Sequence, residues 1–390
     1  MSAAGIYVHL PFCASICPYC DFAVLKGRVD ERASYVETLL QEIRLCPSTV
    51  WPDFCSSEPT PVFDTVYLGG GTPSLLSHSA LETLLGEIQD RFEVAANPWI
   101  AMEVNPEDAT RSNLAAWKRL GVQYLSLGVQ SFDEAALHLL GRRHDPAQAA
   151  RSVAEAKGAG FHTVSIDLIY CRPGQTVAGW RLELERALEL IPDHISCYAL
   201  TVEPGTPFAA QRQRGSLVEL SEELQADLFF TTHRTLEEHG YQAYEVSNFT
   251  RRSQHRSKHN QKYWTRQPYL GLGLSAHSFA GTSRWWNHRR LGPYRQAVGG
   301  GQRPILEHED LDNRQLCLEA IALGLRTRAG VDLDEIPGDL GPEVWARNRP
   351  LIGQWVEKGL IDTDRLRLRP SLEGMAVADA LTRQLEIPAE

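Results

Sequence analysis

Three cysteines fall within one short stretch, His9-Leu-Pro-Phe-Cys13-Ala-Ser-Ile-Cys17-Pro-Tyr-Cys20-Asp-Phe22. Their spacing is C-x3-C-x2-C. Three thiolates on one tight loop can ligate three irons of a cubane cluster, which normally takes four thiolate ligands. With three local cysteines, one iron stays open. An open iron can chelate the amino and carboxylate groups of a methionine, and reduction of the cluster can then break a sulfonium C–S bond. In such chemistry the cofactor does the work and the protein positions it. Zinc is the competing use of these thiols. Zinc motifs usually pair two C-x2-C half-sites, or Cys with His, to close four ligands. No second half-site follows here. The other five cysteines, Cys46, Cys55, Cys171, Cys197 and Cys317, are scattered and read as small buried hydrophobes.

A second group of residues follows the ends of predicted strands. Gly69-Gly70-Gly71-Thr72-Pro-Ser74 closes one strand, and consecutive glycines let backbone approach a ligand closely. Glu103 ends another strand, in Glu-Val-Asn-Pro. Gln130 and Arg142 come just after the next, and Asp167 sits on the one beyond. An acid, an amide, a guanidinium and a second acid would share one barrel mouth. Carboxylates suit ribose hydroxyls, and a guanidinium suits a carboxylate through a bidentate pair.

The cysteine motif resembles that of the radical S-adenosylmethionine (SAM) superfamily. Its flanks, IYVHLPFC and CPYCDF, narrow the resemblance to the HemN/HemW family, which holds oxygen-independent coproporphyrinogen III dehydrogenases and heme chaperones. The likeness runs from Ile6 to about Leu385. It implies a 4Fe–4S cluster on Cys13, Cys17 and Cys20. It implies SAM contacts at Tyr7, Tyr19, Gly69, Gly70, Gly71, Thr72, Glu103, Gln130, Arg142 and Asp167, with Ala199 and His277 as weaker counterparts.

Two features separate the branches. The dehydrogenases extend the motif to a fourth cysteine, where this chain has Phe22, and carry a long extension before the first strand. On the other side, His259-Asn260-Gln-Lys-Tyr263-Trp264 resembles the H-N-x-x-Y-W heme motif of the chaperone branch. A neutral imidazole can ligate heme iron, and Tyr and Trp can pack on a macrocycle while offering a polar tip. The preceding basic run, Arg251 to Lys258, suits propionates. His255 and His277 compete with His259 for the iron. The expectation is a heme chaperone that binds cluster, SAM and heme and passes heme to apo-hemoproteins. The alternative is the dehydrogenase, with a radical abstracting a propionate β-hydrogen before decarboxylation. A flavodoxin or ferredoxin as reductant and a homodimer are compatible with either.

These residues need a scaffold that sets strand ends side by side. Strand-like runs at Gly5–Leu10, Thr65–Leu68, Ile100–Val104, Tyr124–Leu127, Thr163–Ile169 and Ile195–Leu200 alternate with helix-like stretches, the pattern of βα units around a parallel sheet. Six units fall short of the eight of a closed barrel. The expected fold is therefore α/β, a partial, open (β/α)6 TIM-like barrel with a C-terminal helical, winged-helix-like domain. The divisions are 1–245 for the barrel, 246–300 for the heme-motif segment and a linker around Pro293 and Gly299–Gly301, and 301–390 for the C-terminal domain. There, helices over Asn313–Arg326 and Glu343–Glu357 precede a hairpin over Gly359–Arg369 and a helix over Leu372–Leu385. A net charge of −10 argues against broad nucleic-acid binding. No run approaches the ~20 apolar residues of a transmembrane helix, and Met1–Leu10 has no signal-peptide pattern. A cytoplasmic protein is expected, transiently at the membrane surface at most.

Overall fold

The computed structural model describes residues 3–47, 50–55, 58–336 and 340–388. Six parallel strands form its centre in chain order: β1 (Ala4–Leu10), β2 (Phe63–Gly70), β3 (Val94–Val104), β4 (Val122–Gln130), β5 (Thr163–Tyr170) and β6 (His194–Ala199). Each expected strand is present, most of them a residue or more longer than the sequence pattern suggests. The strands form because they are rich in β-branched and aromatic residues, as in Thr-Val-Ser-Ile-Asp-Leu-Ile-Tyr of β5. The connecting helices start on side-chain caps: Ser77, Thr110, Asp145, Thr176 and Ser221 each accept the backbone N–H three residues on. The apolar core lies between the outer face of the sheet and these helices, around Trp117, Trp180 and Tyr35.

The sheet does not stop at six strands. Tyr269–Leu272 pairs parallel to β1 on its free side, with Gly5 opposite Tyr269. His277–Ala280, Ser283–Asn287 and Ile305–Asp310 then extend it antiparallel. Two short strands, Asn248–Thr250 and Gln242–Ala243, follow β6 at the opposite end. The described residues thus make one twelve-stranded open sheet. The segment 246–300, expected to hold a linker, is built into it. Gly299–Gly301 close the helix Leu291–Gly299 and span no gap.

The C-terminal part has its own core, around Ile321, Val344, Trp355 and Leu368. Helices Asn313–Gly324 and Gly341–Glu357 precede the hairpin Ile361–Asp364/Arg367–Pro370, which Val331–Asp332 completes as a third strand. The expected final helix is two, Leu372–Ala376 and Ala378–Gln384, broken at Val377. No described helix is long and apolar enough to cross a membrane.

Beneath the strands, at their N-terminal ends, the helix Lys258–Trp264 and the segment before it close the barrel floor. Lys262 is buried, donates to the Ala3 carbonyl at 2.7 Å and pairs with Asp64 at 2.7 Å. Tyr244 Oη lies 2.9 Å from His194 Nε2 and accepts from Ser257 N. His255 Nδ1 lies 2.9 Å from Thr163 Oγ1. The fit is tight: a Cβ on Gly5 would stand 2.9 Å from the His259 ring.

Candidate functional site

The C-terminal ends of β1–β6 open into a cavity of about 420 Å³, the end of the strands where such folds place their chemistry. Cys13, Cys17 and Cys20 stand on its rim, on the loop after β1. All three are free thiols and partly exposed. Burial pushes the Cys13 and Cys20 thiols up, Cys20 to about 11. Thr72 Oγ1 donates to Cys13 Sγ at 3.6 Å, and Arg142 Nη1 donates to Cys17 Sγ at 3.6 Å. Among the described residues no three Cys, His or acidic side chains converge on one point, as a mononuclear site requires. A cubane asks for something else, one thiolate on each of several irons.

The cavity wall is built in register. Glu103 lies opposite Ser126 across the β3–β4 pair, and Asp167 opposite Ser196 across β5–β6. Glu103 accepts from Tyr67 Oη at 3.0 Å and from Gly70 N at 3.1 Å. Asp167 accepts from Ser126 Oγ at 2.9 Å. Burial and the neighbouring Asp167 push the Glu103 carboxyl up to about 7. Burial pushes Asp167 up to about 6, against the pull of Ser196 and Ser126.

Two glycines of the run are required sterically. Gly70 has φ +106°, and a Cβ there would strike the His9 ring at 2.6 Å. A Cβ on Gly71 would stand 2.7 Å from the Pro11 carbonyl. The glycine loop therefore lies directly against the cysteine loop. Gln130 ends β4 with φ +66°, in the left-handed region that non-glycine residues rarely adopt. Its Oε1 is buried without a partner among the described residues. Arg142 is held by Asn105 Oδ1 at 2.6 Å and the Gly128 carbonyl at 2.9 Å. Its Nε is likewise buried and unpartnered among the described residues. Both residues line the cavity, and a buried polar atom without a protein partner is uncommon in a folded chain.

The structure brings Tyr19, Gly70, Gly71, Thr72, Glu103, Gln130, Arg142, Asp167 and Ala199 together around this cavity. Gly69 lies one residue behind the lining. Tyr7 and His277 are elsewhere. Tyr7 turns its hydroxyl to His9 Nδ1, 3.0 Å away, and both Tyr7 and His277 line a second cavity of about 310 Å³. Sequence reasoning missed Tyr67, Asn105, Ser126, Ser196 and Tyr198 of the main cavity. Their signal was period-two placement: Tyr67 and Gly69 share a face of β2, and Ser126 and Gln130 lie at even spacing on β4.

The four motif residues divide. Asn260 lies at the floor of the first cavity and Tyr263 in the second. Trp264 is half-buried and lines neither. His259 is 0% exposed. Its Nδ1 lies 2.9 Å from Thr65 Oγ1 and its Nε2 2.8 Å from Tyr263 Oη, and its ring stacks on Tyr67 at 5.3 Å. Burial, with Lys262 beside it, pushes the imidazole down to about 3. The expectation of His259 as heme ligand meets a ring whose two nitrogens are both engaged.

A partial barrel with a three-cysteine mouth and a glycine loop packed against it defines the radical SAM class. Comparison agrees: residues 7–187 match the radical SAM superfamily and residues 311–377 the HemN C-terminal domain. The chain is 33% identical to the heme chaperone HemW of Mycobacterium tuberculosis over 98% of its own length and 94% of that protein's. It is 37% identical to the heme chaperone HemW of Escherichia coli over 70% of this chain and 69% of that one. The solved coproporphyrinogen III oxidase HemN of Escherichia coli, a radical SAM enzyme, superposes with a TM-score of 0.82. That match covers 98% of this chain and 89% of the other at 24% identity, and it shows the shared fold. The chain belongs to the HemN/HemW family of radical SAM proteins.

Proposed function

We propose that this chain is a heme chaperone that carries a 4Fe–4S cluster and SAM and delivers heme to apo-hemoproteins. The observation that carries the reading is likeness along nearly the whole chain to proteins named as heme chaperones. Phe22, in place of a further cysteine, supports it over the dehydrogenase.

The residues present fit a cluster with SAM. Cys13, Cys17 and Cys20 hold the cluster, and when bound the pair supplies one-electron chemistry at the SAM sulfonium. The protein's part is placement. Thr72 and Arg142 donate to cysteine sulfurs, and hydrogen bonds to cluster sulfurs tune its potential. Gly70 and Gly71 let backbone reach the ligand. Glu103 and Asp167 accept hydroxyl hydrogen bonds from a ribose. The unpartnered Gln130 Oε1 and Arg142 Nε take a polar ligand's donor and acceptor. A small one-electron carrier, a flavodoxin or ferredoxin, serves as reductant, and the cytoplasm is the place of action.

The test pairs two assays on reconstituted protein. Hemin is titrated in and its transfer to an apo-hemoprotein followed; separately, coproporphyrinogen III is supplied with SAM and reductant. Stoichiometric heme binding with transfer and no porphyrin product is expected. Turnover to protoporphyrinogen IX overturns the reading.

A further inference from the structure

The second cavity opens beside the first, between β1 and the antiparallel extension of the sheet. Asp21 and Phe22, just past the last cluster cysteine, line both cavities. Phe22 is 62% exposed, too much for a residue that serves only to fill a core.

The wall is aromatic on one side, with Tyr7, Tyr263 and Tyr269. Tyr263 and Tyr269 meet edge to face at 4.7 Å. Arg289 stands exposed at the rim and donates to the Asp21 carbonyl. Two imidazoles face this space. His9 is spent, with Nδ1 on Tyr7 Oη and Nε2 on the Ala23 carbonyl. His277 is different. It is exposed and stacks at 5.6 Å and 25° on Trp286, its partner across the strand pair. Among the described residues neither of its ring nitrogens has a hydrogen-bond partner. Partial desolvation, with Arg284 near, lowers its pKa and keeps it the neutral, ligating form.

The other candidate imidazoles are closed off. Both nitrogens of His259 are engaged inside the barrel. His255 is tied to Thr163 and Gln254 at the barrel floor, the far end from the cluster.

We propose that heme seats in the second cavity with its iron on a ring nitrogen of His277. The macrocycle lies against Tyr263 and Tyr269, and Arg289 pairs with a propionate. This rests on the heme-chaperone reading above and names the site for it. His259 then acts as a positioning residue: its Nε2 fixes the Tyr263 hydroxyl at 2.8 Å and so sets the wall on which the ring packs. The cavity is open-sided, so it grips one edge of the macrocycle and leaves the rest accessible, as a cargo destined for transfer requires. Asp21 and Phe22, which line both cavities, join this seat to the cluster loop.

The experiment titrates the full chain with hemin and reads visible absorption and electron paramagnetic resonance. Wild-type protein is compared with His277→Ala, His277→Tyr, His259→Ala and His259→Gln. His277→Ala is expected to lose the imidazole-ligated signature and bind roughly tenfold or more weakly, with added imidazole restoring the signature. His277→Tyr is expected to give a phenolate-ligated spectrum. Whichever His259 variant folds is expected to keep imidazole ligation. A His277→Ala protein indistinguishable from wild type overturns the proposal and leaves the chaperone reading intact. Imidazole ligation lost in a folded His259 variant but kept in His277→Ala also overturns it. A wild-type protein that binds no hemin overturns both.

Discussion

Replacing His259 with alanine tests whether the motif histidine is a structural plug. Two hydrogen bonds go, to Thr65 Oγ1 at 2.9 Å and Tyr263 Oη at 2.8 Å. The Thr65 hydroxyl stays buried and the Tyr263 hydroxyl partly so, and a buried polar group left unpaired costs ~1–3 kcal/mol. The missing ring leaves a hole beside Tyr67, for which large-to-small changes cost ~2 kcal/mol at the low end. The expected loss is about 4 kcal/mol, a large part of the ~5–15 kcal/mol of a typical domain. The pH dependence adds a signature. The folded pKa, about 3, lies below the unfolded 6.5. The stabilisation is therefore complete above 6.5 and lost as pH falls toward 3, with a slope of ~1.4 kcal/mol per pH unit for one proton. His194, also pushed down to about 3 by burial, contributes a second such proton. Urea unfolding by circular dichroism at pH 7 and pH 5 reads both effects. The variant should lose one proton's worth of acid sensitivity along with its stability. A His259→Ala protein within ~1 kcal/mol of wild type, or with an unchanged pH slope, refutes the reasoning.

Asp167→Asn should stabilise the ligand-free protein at pH 8 by ~1–3 kcal/mol. The folded pKa values of Asp167 and Glu103, about 6 and about 7, are raised, so their contribution is present at low pH and lost as pH rises through them. Thermal melts across pH check this, and the same variant should bind SAM roughly tenfold more weakly. Serine in place of Cys13, Cys17 or Cys20 should abolish the cluster's visible absorbance on reconstitution, while Cys197→Ser, buried in the core, should retain it. Arg142→Met removes a positive charge 3.6 Å from Cys17 Sγ, and potentiometric titration should show the cluster harder to reduce.

The parallel half of the fold was legible because each strand is a short apolar run followed by a capped amphipathic helix, a local signal. That the three cysteines share one loop was legible because their spacing is local too. What the sequence concealed depends on partners far along the chain. Tyr269–Leu272, preceded by Pro268 and interrupted by Gly271, shows no strand pattern of its own, and it is a strand because β1 offers it an edge. Gln130 could be seen as a polar residue after a strand, but its left-handed backbone falls where the register between β4 and β5 shifts, a pairing with residues far along the chain. His259 looked like a ligand because its type and neighbours suit iron. The residues that occupy its nitrogens, Thr65 and Tyr263, include one nearly two hundred positions away. The break at Val377, inside an otherwise helical run, has no counterpart in the residue pattern.

The placement of β1 has a consequence for the timing of maturation. This strand is bordered by β2 on one side and by Tyr269–Leu272 on the other, and the helix Lys258–Trp264 packs beneath it. At synthesis rates of ~5–20 residues per second, the ribosome needs tens of seconds to deliver that second neighbour after β1 emerges. Through that interval the cysteine loop hangs from a strand with one edge unpaired. Such nonlocal pairing is slow to form, so a stable iron–sulfur site is expected only late in synthesis or after it, once some 270 residues have left the exit tunnel.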